Sequence, residues 1–239
     1  MRECMLFVRG ACFAGGPYRC PCCGWRVRGF MDRSGWSVHN TDGYCPRCNA
    51  KARHRRLWLY LRDEARLFDS EQRVLDVGPA PGLARALAGC RNLDYVAVGT
   101  EEDTPRLSVL GDVRALPFVS GTFDVVLCQH VLEHVDDDRR SLAELRRVAK
   151  HGGWAVISVP LNLDGPTHED PSITDPAERE RLFGEPGHVR MYGNDLAERL
   201  RDAGFDATFH PAESIPAEQC ERYGLRRDEN LFICRPQGG

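Results

Sequence analysis

The chain has 239 residues, 42% of them hydrophobic, and a formal net charge of −3, which suits one core of ordinary size with a small appendage. No run approaches the roughly 20 apolar residues of a membrane span, and the opening Met1-Arg-Glu-Cys-Met-Leu-Phe-Val-Arg carries charge where a secretion signal needs an apolar stretch. A soluble, cytoplasmic protein is expected, without a membrane partner.

Eleven cysteines would fit a disulfide scaffold in a short secreted chain, but five of them crowd into residues 20–48. There they take metal-ligand spacing, so thiolates on a metal explain them better. Residues 1–66 also hold 13 Lys/Arg against 5 Asp/Glu, while the remainder is acidic. Such a basic end either meets a polyanion such as RNA or attracts the acidic part of its own chain.

Cys20-Pro-Cys22-Cys23-Gly24 and Cys45-Pro-Arg47-Cys48-Asn49 are two copies of one turn, separated by a segment with Gly29, Gly35, Trp25, Phe30 and Trp36. Two thiolates three positions apart face one ion, and the Gly or Asn that follows accepts unusual backbone angles. The pattern predicts a Cys₄ zinc ribbon with Cys20, Cys23, Cys45 and Cys48 as ligands. Cys22 is the alternative to Cys23, but only the three-residue step repeats in both turns. A closed Cys₄ site has no position for water or substrate, so one structural Zn²⁺ per chain is expected.

Lys51 to Leu61 follows, with Leu57, Tyr60, Leu61 and Ala65 at helical spacing and Trp58 and Leu59 widening the apolar face. This predicts a helix joining the ribbon to the main domain. Its Arg53, Arg55 and Arg56 form either a phosphate-binding face or a solvated one. The expected division is residues 1–52 for the N-terminal segment and ribbon, 53–70 for the basic linker helix and 71–239 for the main domain.

From Arg73 onward, strand-like and helix-like patterns alternate as in a doubly wound parallel sheet. Val74 to Val77 is the first strand, and the small-residue turn Gly78-Pro-Ala80-Pro-Gly82 lies at its carboxyl end, where open α/β sheets bind ligands. Asp76, Gly78, Ala80 and Gly82 spell Asp-x-Gly-x-Ala-x-Gly, which resembles motif I of class I S-adenosylmethionine (SAM)-dependent methyltransferases. Tyr95 to Val98 is the second strand. The family commonly offers a ribose-binding carboxylate just after it, and here that position is Gly99, with Glu101 or Glu102 able to substitute.

Gly111-Asp112-Val113 and Gly121-Thr-Phe-Asp124 through Gln129-His130-Val-Leu-Glu133-His134-Val135 closely resemble the type 11 branch of those methyltransferases. The resemblance runs through His151 to Pro160 and to two final strands at Asp206–His210 and Asn230–Cys234. It implies an α/β, Rossmann-like seven-stranded sheet preceded by the zinc ribbon. It also implies SAM held by Asp76, Gly78, Ala80, Gly82, Glu101, Asp112, Val113, Gln129 and His130, with Asp112 on the adenine amino group.

His188, Arg190 and Tyr192 alternate in an extended pattern, and the resemblance puts them at the acceptor pocket. His188 is then the base and Arg190 an anion contact, with His130 beside the methyl group. The competing expectation is that Arg190 pairs with Glu169 or Asp170 to close the loop. Cys128 ends an apolar run and reads as a buried strand cysteine rather than a nucleophile.

The leading expectation is therefore methylation of oxygen or nitrogen in a small or medium-sized metabolite, such as a natural-product intermediate. The alternatives are an RNA methyltransferase that uses the basic ribbon and linker, and a SAM-binding protein without methyl transfer.

Overall fold

The computed structural model describes residues 2–32, 38–39, 43–101 and 106–238; Gly35, Trp36 and Glu102 fall outside them. Helix α1 (Arg2–Cys12) leads into the antiparallel pair β1 (Ala14–Arg19) and β2 (Arg26–Val27), then into the pair β3 (Phe30–Met31) and β4 (Val38–His39). The two knuckles share one backbone form. Gly24 N–H donates to the Cys20 carbonyl and Asn49 N–H to the Cys45 carbonyl, each at 2.9 Å, while Gly24 and Asn49 take φ of +74° and +65°. Those left-handed angles explain why Gly and Asn close the turns.

Helix α2 (Ala52–Leu59) continues through a π-turn at Tyr60–Glu64. It is no solvated connector. Leu57 and Leu61 are fully buried and join Leu83, Leu87, Val74, Val125 and Leu127 in one apolar cluster. Arg55 and Arg56, expected on an outer face, are interior as well. The Arg55 guanidinium lies 3.6 Å from the Phe30 ring centroid and donates to the carbonyls of Gly43, Ala50, Tyr223 and Gly224. Arg56 meets His210 and Glu64. Carbonyls and a carboxylate in place of water make these buried cations tolerable, and neither presents a face to a polyanion.

The main sheet follows: β5 (Gln72–Val77), α3 (Pro81–Ala88), β6 (Leu93–Gly99), β7 (Val109–Leu110), β8 (Phe123–Gln129), α4 (Asp138–Val148) and β9 (Ala149–Ser158). After it come β10 (His168–Glu169), α5 (Pro176–Phe183), β11 (Arg190–Met191), α6 (Leu196–Asp202), β12 (Phe205–His210), α7 (Ala217–Tyr223) and β13 (Leu231–Pro236). The seven-stranded sheet has the order β12-β13-β9-β8-β5-β6-β7. Strands β9 to β7 in that order run parallel, and β13 is antiparallel to both its neighbours. This is the Rossmann-like methyltransferase sheet.

Alternate residues of a strand face opposite sides, which divides the core in two. Val74, Val125 and Leu127 pack under α2 and α3, while Leu75, Val77, Val126 and Cys128 pack against Leu142, Leu145 and Phe205. The Cys128 side chain is fully buried there, and burial raises its thiol well above the ordinary range. That is an inert strand cysteine rather than a nucleophile. Among the described residues, no helix is long and apolar enough to cross a membrane.

Candidate functional site

The order of strands reverses at β5, and the carboxyl ends of β5, β6 and β8 open onto a cavity of about 530 Å³. That is within the usual size range of small-molecule sites, and the switch point is where such sheets bind ligands. Its walls include Gly78, Gly99, Glu101, Asp112, Val113, His130 and His134. Gly78 has φ of +68°, and a Cβ there would lie 2.5 Å from Val131 Cγ2. Only glycine fits that turn without displacing the cavity wall.

Other residues of the small-residue turn face elsewhere. Asp76 is buried on β5 and accepts from Tyr95 Oη at 2.7 Å on the adjacent strand. Burial pushes its carboxyl up to about 7, against the opposing pull of the Tyr95 hydrogen bond. Neither Asp76, Ala80 nor Gly82 is among the cavity-lining residues. A Cβ on Gly82 would lie 2.5 Å from the Cys48 carbonyl oxygen and 2.7 Å from the Ala50 nitrogen, so this glycine is where α3 meets the second knuckle.

Asp112 faces the cavity with its carboxylate engaged by Arg114. The backbone N–H of Arg114 donates to Oδ1 at 2.8 Å and its guanidinium to Oδ2 at 2.6 Å, which holds the carboxyl below its ordinary range. A ligand's amino group would share this carboxylate with Arg114.

His130 sits just past β8 with φ of +53°, an uncommon angle for a side-chain-bearing residue that turns the ring toward the cavity. Its Nδ1 lies 3.2 Å from Glu133 Oε1 and its Nε2 lies 3.7 Å from Glu229 Oε2. Burial opposes protonation of the ring, but the two carboxylates outweigh it and hold His130 above its usual range. Next to it, the side-chain amide of Gln129 and the Ser158 hydroxyl are buried with no hydrogen-bond partner among the described residues. Gln129 and Ser158 are register partners on β8 and β9. Paired orphans at two strand ends are polar groups that a ligand can satisfy, and nothing in the sequence singled out Ser158.

The three residues assigned to the acceptor side divide. Arg190 is buried and donates to Glu169 Oε2 at 2.8 Å and to the carbonyls of Leu132, Val135 and Asp136. It therefore clamps the segment after β8, as the loop-closing alternative expects, with four of its five N–H donors engaged. Tyr192 is fully buried with its hydroxyl on Asp138 Oδ2 at 2.8 Å, so it supports α4 and has no path to a substrate. His188 is buried too. Its Nδ1 lies 2.8 Å from the Phe183 carbonyl, and its ring stands edge-on to His134 at 4.7 Å between centroids.

The four cysteines with repeated spacing converge. Cys20, Cys23, Cys45 and Cys48 offer sulfurs within 4.8 Å of one another, with Cys20 to Cys48 at 3.6 Å and Cys23 to Cys45 at 3.8 Å. Sulfurs about 2.3 Å from a tetrahedral zinc stand about 3.8 Å apart, so the cluster fits the ion. The Cys22 sulfur points instead to the His54 carbonyl at 3.7 Å, so Cys23 rather than Cys22 belongs to the cluster.

The family model of the methyltransferase domain matches residues 32–208. An uncharacterized methyltransferase of Mycobacterium sp. (strain JLS) is 41% identical over 97 residues, covering 36% of this chain and 37% of its own. A demethylmenaquinone methyltransferase of Renibacterium salmoninarum is 34% identical over 96 residues, covering 36% and 40%. The chain thus spans well under half the length of these curated relatives. In overall shape it is similar to the [4+2]-cyclase SpnF, with a TM-score of 0.54 at 16% identity over 98% of this chain and 93% of that one.

Proposed function

Because the chain belongs to the methyltransferase-domain family, we propose that it binds SAM in the cavity at the ends of β5, β6 and β8 and methylates an oxygen or nitrogen of a small or medium-sized metabolite. The observation that carries this reading is the cavity wall, which joins Gly78, Glu101, Asp112, Val113 and His130 at the switch point of the sheet. Asp112 and the Val113 backbone would hold the adenine, Glu101 the ribose, and the orphaned Gln129 the amino-acid end.

When bound, SAM supplies a methyl group on a positively charged sulfur, a leaving group that needs little help. The protein's part is to align the acceptor about 3 Å from the methyl carbon, to exclude water and to take a proton. His130 is the residue suited to the proton, since Glu133 and Glu229 flank its two ring nitrogens and stabilise its charged form. A Cys₄ zinc would serve as structure, holding the knuckle on which α3 rests.

A fold neighbour described as a cyclase illustrates that this sheet carries more than one reaction, so binding and turnover need separate tests. The RNA reading loses support because Arg55 and Arg56 are interior. Calorimetry with SAM is expected to give one binding event per chain, and His130→Gln to preserve binding while lowering methyl transfer to hydroxyl or amine acceptors by about 10²-fold or more. Absence of SAM binding by the folded chain would sink the proposal, and binding without turnover on any acceptor would favour a non-methylating SAM protein.

A further inference from the structure

Beside the cofactor cavity, Glu133, His134 and His188 form a cluster of ligand atoms that lie within 4.8 Å of one another. Three features distinguish it from an ordinary polar corner. Glu133 is 1% exposed, yet both of its carboxylate oxygens lack a hydrogen-bond partner among the described residues. His130 Nδ1 lies 3.2 Å from Oε1 as an ion pair. A carboxylate at that depth with no hydrogen bond of its own is costly, and the one histidine paired with it leaves coordinating capacity open.

Second, both histidines have Nδ1 tied to a backbone carbonyl. His188 Nδ1 lies 2.8 Å from Phe183 O, and His134 Nδ1 lies 3.1 Å from Gly187 O. With Nδ1 on a carbonyl, Nε2 is the nitrogen left for another partner, the arrangement that orients histidines toward metals; Glu185 Oε2 lies 3.8 Å from Nε2 of His188. Third, the elements are braced around the cluster. The Arg190 clamp holds the Leu132 and Val135 carbonyls on either side of Glu133 and His134, and the Val189 N–H donates to the Glu133 carbonyl at 2.8 Å, joining the His188 segment to it.

We propose that Glu133, His134 and His188 bind one divalent cation through two imidazole nitrogens and one carboxylate, with open positions facing the cavity that His134 lines. Ligand atoms of one ion at bonds of about 2.0–2.2 Å stand about 3.0–3.4 Å apart, so an ion would draw the cluster in from spacings of at most 4.8 Å. Two nitrogens and a carboxylate suit zinc, manganese, cobalt or ferrous ions, in contrast to the all-sulfur knuckle site. Resting on the methyltransferase reading, the site selects acceptors with an oxygen donor, because a cation beside the cavity binds a hydroxyl and eases loss of its proton.

The test uses Mn²⁺, which has little affinity for thiolates, titrated into the full chain loaded with one equivalent of zinc, which the four thiolates take, and followed by electron paramagnetic resonance. One bound Mn²⁺ per chain is expected, with the zinc of the Cys₄ cluster retained. Glu133→Gln and His134→Gln should each weaken it by about tenfold to a hundredfold or more; the His134 side chain is exposed, so that variant keeps its fold, as circular dichroism would verify. No bound Mn²⁺ in the wild type, or equal binding by both folded variants, overturns the site. SAM affinity is measured on the same samples. If Mn²⁺ binds while SAM does not, the cation site stands and the methyltransferase reading fails.

Discussion

Replacing Gly99 with Asp is expected to tighten SAM binding. Gly99 closes β6 on the cavity wall, and its φ is outside the left-handed region, so a side chain meets no backbone penalty. An added Cβ would lie 3.3 Å from Leu107 Cδ1 and 3.7 Å from Pro79 Cδ. The closer neighbour is the tip of a half-buried leucine, which can turn aside. A hydrogen bond from a ribose hydroxyl to a carboxylate contributes about 1.5–3 kcal/mol. Repulsion from a nearby carboxylate such as Glu101 subtracts about 1 kcal/mol at solvent-exposed spacing. The net of about 0.5–2 kcal/mol corresponds to SAM affinity raised about two- to thirtyfold. Calorimetry on wild type, Gly99→Asp and Gly99→Asn separates the charge from the added volume: Asp should gain over both. A folded Gly99→Asp protein that binds SAM no better than the Asn variant would refute the placement of the ribose at the end of β6.

Asp76 gives a pH-dependent prediction. Its folded pKa of about 7 lies above the usual carboxylate value, so the folded state holds the proton more tightly than the unfolded one, and stability falls as pH rises from about 4 to about 7. The span is on the order of 4 kcal/mol, so urea unfolding should find Asp76→Asn more stable than wild type at pH 8 and the difference shrinking toward pH 4. A constant difference across that range would mean that Asp76 is ionised in the fold throughout. Gly82→Ala drives a methyl group into the backbone of Cys48 and Ala50 and should cost about 1–3 kcal/mol; a melting temperature equal to wild type would contradict the contact between α3 and the knuckle. Cys45→Ser should lower the zinc content by one per chain in metal analysis, whereas Cys22→Ser should leave it unchanged.

How much of this was legible in the sequence depended on the range of the interactions. Val74 to Val77 and Val125 to Leu127 read as buried parallel strands because both faces of such strands are apolar, and the sheet follows that reading. The cysteine knuckles were legible because their ligands are local and their turns repeat. Arg55 and Arg56 were not. Burial of Arg55 depends on carbonyls 168 and 169 positions away, and no local pattern signals them. Gly82 read as part of a nucleotide turn because its neighbours spell one, yet its close contact is with the ribbon. Glu133 and His134 could be named from the segment, but the approach of His188 is a property of the loop fold that brings residue 188 beside residue 134. Arg190 could be read two ways, and the pairing of β10 with β11, which sets Glu169 opposite Arg190, favours the structural one.

The Arg55 guanidinium also bears on how the molecule comes apart. One buried cation ties a carbonyl near the ribbon's second knuckle, one at Gly43 and two at the carboxyl end of α7, so detaching the N-terminal module strands a charge in the interior at a cost of several kcal/mol. Two segments that look separable by composition are therefore expected to melt as a single cooperative unit, with hydrogen exchange in the knuckles as slow as in the central strands.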